Sequence, residues 1–376
     1  MKRIAVIHYM PLEYYPPVIN MLDDLALENN LKVKVWSTQN TKGRQVYRNN
    51  ALNKISRTLF PSSRHHKIYR LTTYMLFNLN VFLGLIKYNP NTIFYYETYS
   101  AGPVYWYLKY FGRYKKLFIH CHEYFDTKWY KTGMAIVKLY YAYEKKFLYN
   151  KATWISHTNS FRIRLFLEEH PKISPSKLHI MPNYPPNSWF NKNTFFKQTI
   201  NGNSTLNIVY IGSLSLEHTF ISEFCNWVIS RNGEVNFDIF AFNCTKSTNT
   251  YLRNLDSAFV NFYDKGIEYN KIPTVLAHYD IGVILYKATT LNAKYCASNK
   301  LFEYLVCGLE VWVSKEQNGT LPYINKEAQP RVKALDFLNI DPFIISDYYW
   351  SQSLPFSRKK FQFSSVSKKI IAAFQD

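Results

Sequence analysis

The stretch "NAKYCASNKLFEYLVCGLEVWVS", residues 292–314, holds side chains whose types and spacing could do chemistry. Lys300, Glu303 and Tyr304 stand at i, i+3 and i+4, so on a helix they share one face. Ser298 and Asn299 would begin that helix, where unpaired backbone N–H groups favour an anion. Gly308 would end it, and "EVWVS" reads as the next strand. A positive helix start, a lysine beside it and an acid one turn deeper suit a nucleotide: phosphates at the tip, ribose hydroxyls on the carboxylate. An amphipathic helix with its Lys and Glu in water has the same spacing, so the rest of the chain must decide.

A second group lies in "HCHEYF". His120 and His122 alternate along a predicted strand and could share one of its faces, with Glu123 pointing away. Glu97 in "YYETYS" is another acid at a strand end. A satisfied structural histidine and a loop carboxylate are the plain alternatives.

These residues need elements to position them. "RIAVIH", "KVKVWST", "TIFYYET", "KLFIHCHE", "ATWISHT" and "LHIMPN" read as strands separated by helix-like segments, the first helix starting near Pro16-Pro17. Such alternation predicts an α/β fold with a parallel sheet covered on both faces. The pattern lapses in an Asn-, Pro- and Ser-rich stretch and restarts with "LNIVYIGS". "VNFDIFAF", "VNFYDKG", "DIGVILYK" and "EVWVS" follow as strands, with helices near 219–231, 272–279 and 299–307. The expected organisation is a doubly wound domain over 1–190, a linker at 191–205 and a second such domain over 206–360. A final amphipathic helix over 361–376 could cross back to the first domain. In such sheets ligands collect beyond the carboxyl ends of the strands, and two facing domains form a cleft.

Net charge is +20, and its distribution is uneven. Residues 1–190 hold 27 Lys and Arg against 10 Asp and Glu, or +17; the remaining 19 against 16 leave +3 for residues 191–376. The basic first half suits anionic lipid headgroups, at about 1 kcal/mol per basic residue near a bilayer. Nucleic acid is the rival polyanion. Five cysteines without close pairing argue against a disulfide framework and against zinc, and fit a reducing compartment. "MKRIAVIHYM" is too short for a secretory core, and the uncharged run Leu71 to Ile86 is too short for a span, so it reads as a buried helix. The expected location is cytoplasmic, peripheral on a membrane face.

"SNKLFEYLVCGLEVWVS" resembles the nucleotide-binding segment of GT-B glycosyltransferases, particularly the retaining family 4 enzymes that build bacterial surface polysaccharides. "YIGSLS", "VNFYDKGIEYNKIPTVLAHYDIGVILY", "HIMPNYPP" and "YYPPVINML" add to the likeness in the same order along the chain. The resemblance implies two Rossmann-like domains facing a central cleft, the first for the acceptor and the second for a nucleotide-sugar. It gives Glu303 the donor ribose, places Lys300 near the diphosphate, and has Asn299 and Leu301 offer backbone N–H groups. Gly212 and Ser213 would form the turn under the diphosphate. His122 matches the family histidine that faces the transferred sugar, with Glu97 and Glu123 as further strand-end candidates for substrate. The sequence departs from the family at Tyr295, where an acid is usual, and at Glu310, where proline is usual. It also lacks the Arg and Lys that commonly follow the first strand of the second domain.

The implied reaction transfers a sugar, with retention, from a UDP- or GDP-sugar to a lipid-linked or glycan acceptor such as an O-antigen or capsule precursor. No Asp-x-Asp occurs, so neither a metal nor another cofactor is expected. An anionic inner-membrane surface is the expected further partner, and no nucleic acid is expected, since no recognition module accompanies the charge. The alternatives are a non-catalytic binder of nucleic acid or another anionic polymer, and a GT-B nucleotide-sugar epimerase.

Overall fold

A computed structural model describes residues 1–39, 45–62, 64–190, 205–357 and 361–375. The linker expected at 191–205 lies outside the described residues except for Thr205. The chain divides into two compact units, residues 1–183 with 363–376 and residues 184–362. Tyr184, Trp189 and Phe190, grouped by sequence with the first half, pack among apolar residues of the second.

The first unit is built on seven parallel strands: β1 (Lys2–Pro11), β2 (Leu31–Gln39), β3 (Lys54–Leu59), β4 (Thr92–Tyr96), β5 (Lys116–Cys121), β6 (Trp154–His157) and β7 (Leu178–Ile180). Their order is β3-β2-β1-β4-β5-β6-β7. Every residue of β4, "TIFYY", is buried, as expected of a strand covered on both faces. The last helix, Ser364–Gln375, belongs to this unit. Its Phe374 ring meets Phe94 and Phe118, with centroids 5.6 and 4.6 Å away, and the Ser367 hydroxyl donates to Asp24.

The second unit repeats the plan with β8 (Leu206–Ile211), β9 (Val235–Phe240), β10 (Val260–Tyr263), β11 (Ile281–Ile284), β12 (Glu310–Ser314) and β13 (Val332–Leu335). All pairings are parallel, in the order β10-β9-β8-β11-β12-β13. One apolar cluster, around Phe224, Phe237 and Trp312, covers one face of the sheet. A second, around Val209, Leu301, Tyr304 and Val311, covers the other.

Two strands escaped the sequence reading. β3 is a charged edge strand, Lys54 to Leu59, with no fully buried residue. β13 is four residues long and carries Lys333. The run 71–86 requires a correction. It lies within the helix Lys67–Tyr88, and only one side of that helix is buried, through residues such as Tyr74, Phe77, Val81 and Leu85. The run is apolar on both sides, and periodicity cannot tell which side the sheet takes. No helix among the described residues is long and apolar enough to cross a membrane.

Candidate functional site

In the second unit the residues that could bind a nucleotide gather where β8 and β11 end. The helix Asn299–Val306 starts after an extended Ser298 and stops as Gly308 takes φ +84°, a conformation glycine adopts freely. Tyr304 anchors it: its hydroxyl accepts the Ile211 N–H at 3.0 Å, and its ring lies over Gly282, where a Cβ would come within 2.2 Å of it. The preceding turn is held by Gln317, which donates to Cys296 O at 3.3 Å, and by Gly319, where a Cβ would strike the Cys296 backbone.

This framework aims Lys300 at the end of β8. Its Nζ donates to Tyr286 Oη at 2.8 Å and stands 5.3 Å from the Tyr210 ring centroid and 5.1 Å from that of Tyr286. Gly212 makes room for it: a Cβ there would lie 2.6 Å from Lys300 Cε, and φ is +142°. Tyr210 donates to Ser213 O at 2.7 Å, which fixes the turn after β8. At the helix start the Ser298 hydroxyl is buried without a hydrogen-bond partner among the described residues. Glu303, one turn deeper, is 5% exposed. Lys300 and the buried Ser298 hydroxyl thus both belong to the start of one helix, whose N-terminus favours a phosphate.

In the first unit His8, Tyr96, His120 and Ser156 stand opposite one another across β1, β4, β5 and β6. Where Ser156 Oγ gives its proton to Ile119 O, 3.3 Å away, it accepts from His120 Nδ1 at 2.8 Å. His120 Nε2 is then an acceptor for the Nδ1–H of His122 at 3.2 Å. Asn183 Oδ1, 3.4 Å from the same nitrogen, is also an acceptor. This chain of bonds leaves His122 Nε2 as a bare lone pair, buried and without a partner among the described residues. Burial pulls the His122 imidazole down to about 3, against the Asn183 bond, so the ring is neutral near pH 7. Its face stacks on Tyr96 with centroids 5.2 Å apart.

Glu97 directly follows β4 with φ +61°, a strained position for a residue with a side chain. Its carboxylate accepts the N–H groups of His122 at 2.6 Å and Glu123 at 3.1 Å. Burial, and then the nearby Glu123, push its carboxyl up to about 8. The buried Arg162 donates to His122 O and to Thr158 Oγ1, and its Nη2 lies 3.7 Å from Glu123.

No protein-family model and no curated protein matches the sequence. Solved structures do match across the whole chain. A glycosyltransferase from Rickettsia africae ESF-5 superposes with a TM-score of 0.66 at 11% identity, covering 100% of this chain and 98% of that one. Sucrose-phosphate synthase from Thermosynechococcus elongatus gives 0.64 at 13% identity, with 100% and 98% covered. The UDP-GlcNAc 2-epimerase from Neisseria meningitidis, bound to UDP-GlcNAc, gives 0.60 at 11% identity, with 100% of both chains covered. The fold is GT-B.

On this GT-B chain Lys300 packs against Gly212 in the second unit, Asn299 and Glu303 lie on the same helix as Lys300, and Ser213 follows Gly212 in the turn; in the first unit Glu97 accepts the N–H groups of His122 and Glu123. Three details differ from expectation. The Leu301 N–H donates to Ser298 O at 3.1 Å, because the first helical turn is tight, so it is not a free donor. Gly212 donates its N–H to Phe240 O at 3.0 Å, which leaves it a spacing role beside Lys300. Glu97 turns inward to the backbone of the strand end that carries His122. Tyr210, Tyr286, His8, Tyr96, Ser156, Asn183 and Arg162 were not singled out as site residues by sequence. Tyr286 ends "DIGVILY" and Asn183 ends "HIMPN", so strand-end position was the available signal. Among the described residues no group of three or more His, Cys, Asp or Glu could hold a metal ion.

Proposed function

We propose that this chain is a glycosyltransferase that moves a sugar from a UDP- or GDP-sugar to a lipid-linked or glycan acceptor, with retention and without a metal ion. The observation that carries this reading is Lys300 seated over Gly212 by two tyrosines, on a helix that begins at a buried Ser298 whose hydroxyl has no hydrogen-bond partner among the described residues. Likeness to glycosyltransferases over the full chain supports it.

In this reading the donor diphosphate rests at the start of the helix Asn299–Val306, and Glu303 takes the ribose hydroxyls. As the glycosidic bond breaks, negative charge grows on the β-phosphate. The Lys300 ammonium and the first backbone N–H groups stabilise that charge, at about 3–4 kcal/mol per well-aimed donor. Tyr210 and Tyr286 hold the ammonium in place, so little reorganisation accompanies the step. His122, neutral and with Nε2 free to accept, takes a hydrogen bond from a sugar hydroxyl and orients the ring; a base this weak does not remove a proton outright. The basic first unit draws an anionic, membrane-held acceptor, a polyprenyl diphosphate or lipopolysaccharide core being the class that fits.

Release of UDP or GDP from nucleotide-sugars, measured with and without lipid-linked acceptors, tests the proposal. Acceptor-dependent release with formation of a glycoside is the expected result. Conversion of the donor sugar to its epimer without any acceptor would support the epimerase reading, which the Neisseria structure keeps in view.

A further inference from the structure

The helix Lys67–Tyr88 carries a second apolar face that no described residue covers. Ile68, Met75, Leu79, Leu83 and Ile86 recur at a 3.6-residue period and are between 37% and 70% exposed. At 1.5 Å per residue the stripe is about 27 Å long. No residue from 71 to 86 is charged, while Lys67 and Arg70 stand at its start and Lys87 at its end. The helix Ala101–Tyr110 and the turn after it lie alongside. The Phe82 and Phe111 rings meet with centroids 5.9 Å apart, which makes the two surfaces continuous. There Trp106, Tyr110 and Tyr114 are 38%, 60% and 92% exposed. The Lys109 ammonium lies 5.8 Å from the Trp106 ring and 5.3 Å from the Tyr110 ring, with Arg113 following.

We propose that this two-helix face docks the protein on an anionic bilayer. The leucine stripe enters the acyl boundary, Trp106 and Tyr110 sit at headgroup level, and the rim of Lys and Arg meets lipid phosphates. Charge complementarity selects this occupant. No Asp or Glu occurs between Glu28 and Glu97, or between Glu97 and Glu123. A second copy seated on the same face would bring cation against cation, whereas an anionic bilayer neutralises the rim. The inference deepens the function proposed above, and its biological sense rests on the membrane-held acceptor of that reading. The binding itself needs neither donor nor acceptor.

The test is flotation of the full chain with phosphatidylcholine vesicles, with and without phosphatidylglycerol, against the variant L79E/L83E. Both leucines are exposed, so the variant keeps the fold, and its melting temperature verifies this. Wild type floats with the anionic vesicles and keeps part of its binding in high salt, since apolar insertion is not screened. L79E/L83E loses binding by at least about tenfold. Flotation of the folded double variant equal to wild type would overturn the proposal. So would a wild-type dimer in light scattering that L79E/L83E dissolves, because the face would then belong to a second copy. Nucleotide-induced thermal shifts on the same samples report the transferase reading separately.

Discussion

Lys300 and Gly212 fit each other so closely that a methyl group at residue 212 would lie 2.6 Å from Lys300 Cε. The ammonium is thereby held at the turn after β8, where it donates to the Tyr286 hydroxyl. Gly212→Ala should therefore push Lys300 aside while leaving the sheet intact. A lost charge-assisted bond is worth about 1.5–3 kcal/mol, so nucleotide affinity should fall tenfold or more by calorimetry. The melting temperature should fall only modestly, through the φ of +142°.

The hydrogen-bonded chain from Ser156 through His120 fixes which nitrogen of His122 is bare. Ser156→Ala removes the hydroxyl 2.8 Å from His120 Nδ1 and so loosens the hold on the His120 tautomer. We expect kcat to fall while KM for the donor and the nucleotide thermal shift stay near wild type. A parallel rise in KM would place Ser156 in donor binding rather than in positioning His122.

Glu310 stands where relatives are expected to carry proline, and the structure shows what it does. Its carboxylate accepts from Arg331 Nε at 2.9 Å and from Trp312 Nε1 at 2.8 Å, all three residues being buried. Glu310→Ala leaves the Arg331 charge buried with Asp347, 2.8 Å from Nη2, as its remaining acidic partner among the described residues. Breaking such a pair costs about 3–5 kcal/mol, readable by urea denaturation. Replacing Arg331 as well, by Met, should return part of that loss.

Stability should fall in mild acid. Burial lowers His122 and His157 from 6.5 to about 3, so their unfolded forms bind protons that the folded forms refuse. This contribution is complete above 6.5 and lost as pH falls towards 3. Glu97 has the opposite sign: raised from 4.5 to about 8, it favours the fold below 4.5 and loses that contribution as pH rises to 8. Glu97→Gln should therefore remove the part of the pH dependence that falls between 4.5 and 8, most visibly above 6.5, and leave the profile below 4.5 unchanged. An alkaline slope identical to wild type would show that Glu97 ionises without cost.

Much of this architecture was legible in the sequence because buried parallel strands such as "TIFYY" and "LNIVYI" are continuous apolar runs. The helix that carries Lys300 and Glu303 was legible too, as helical spacing survives without knowledge of tertiary contacts. The His8, Tyr96, His120 and Ser156 row was not, since it joins four strands and exists only once their register is set. Glu97 misled in a related way: a carboxylate at a strand end can face substrate or backbone, and its φ of +61° turns it inward. The helix Lys67–Tyr88 is apolar on both sides, so burial of one side and exposure of the other could not be read from pattern.

The central claim is that the second unit holds a nucleoside diphosphate between Lys300, the helix start and Glu303. Thermal unfolding of wild type, Lys300→Ala and Glu303→Ala with UDP, GDP and their sugars tests it most directly. We expect a saturable rise in melting temperature for wild type with one nucleotide family, and little or none for either variant. An equal rise in all three proteins would contradict the claim.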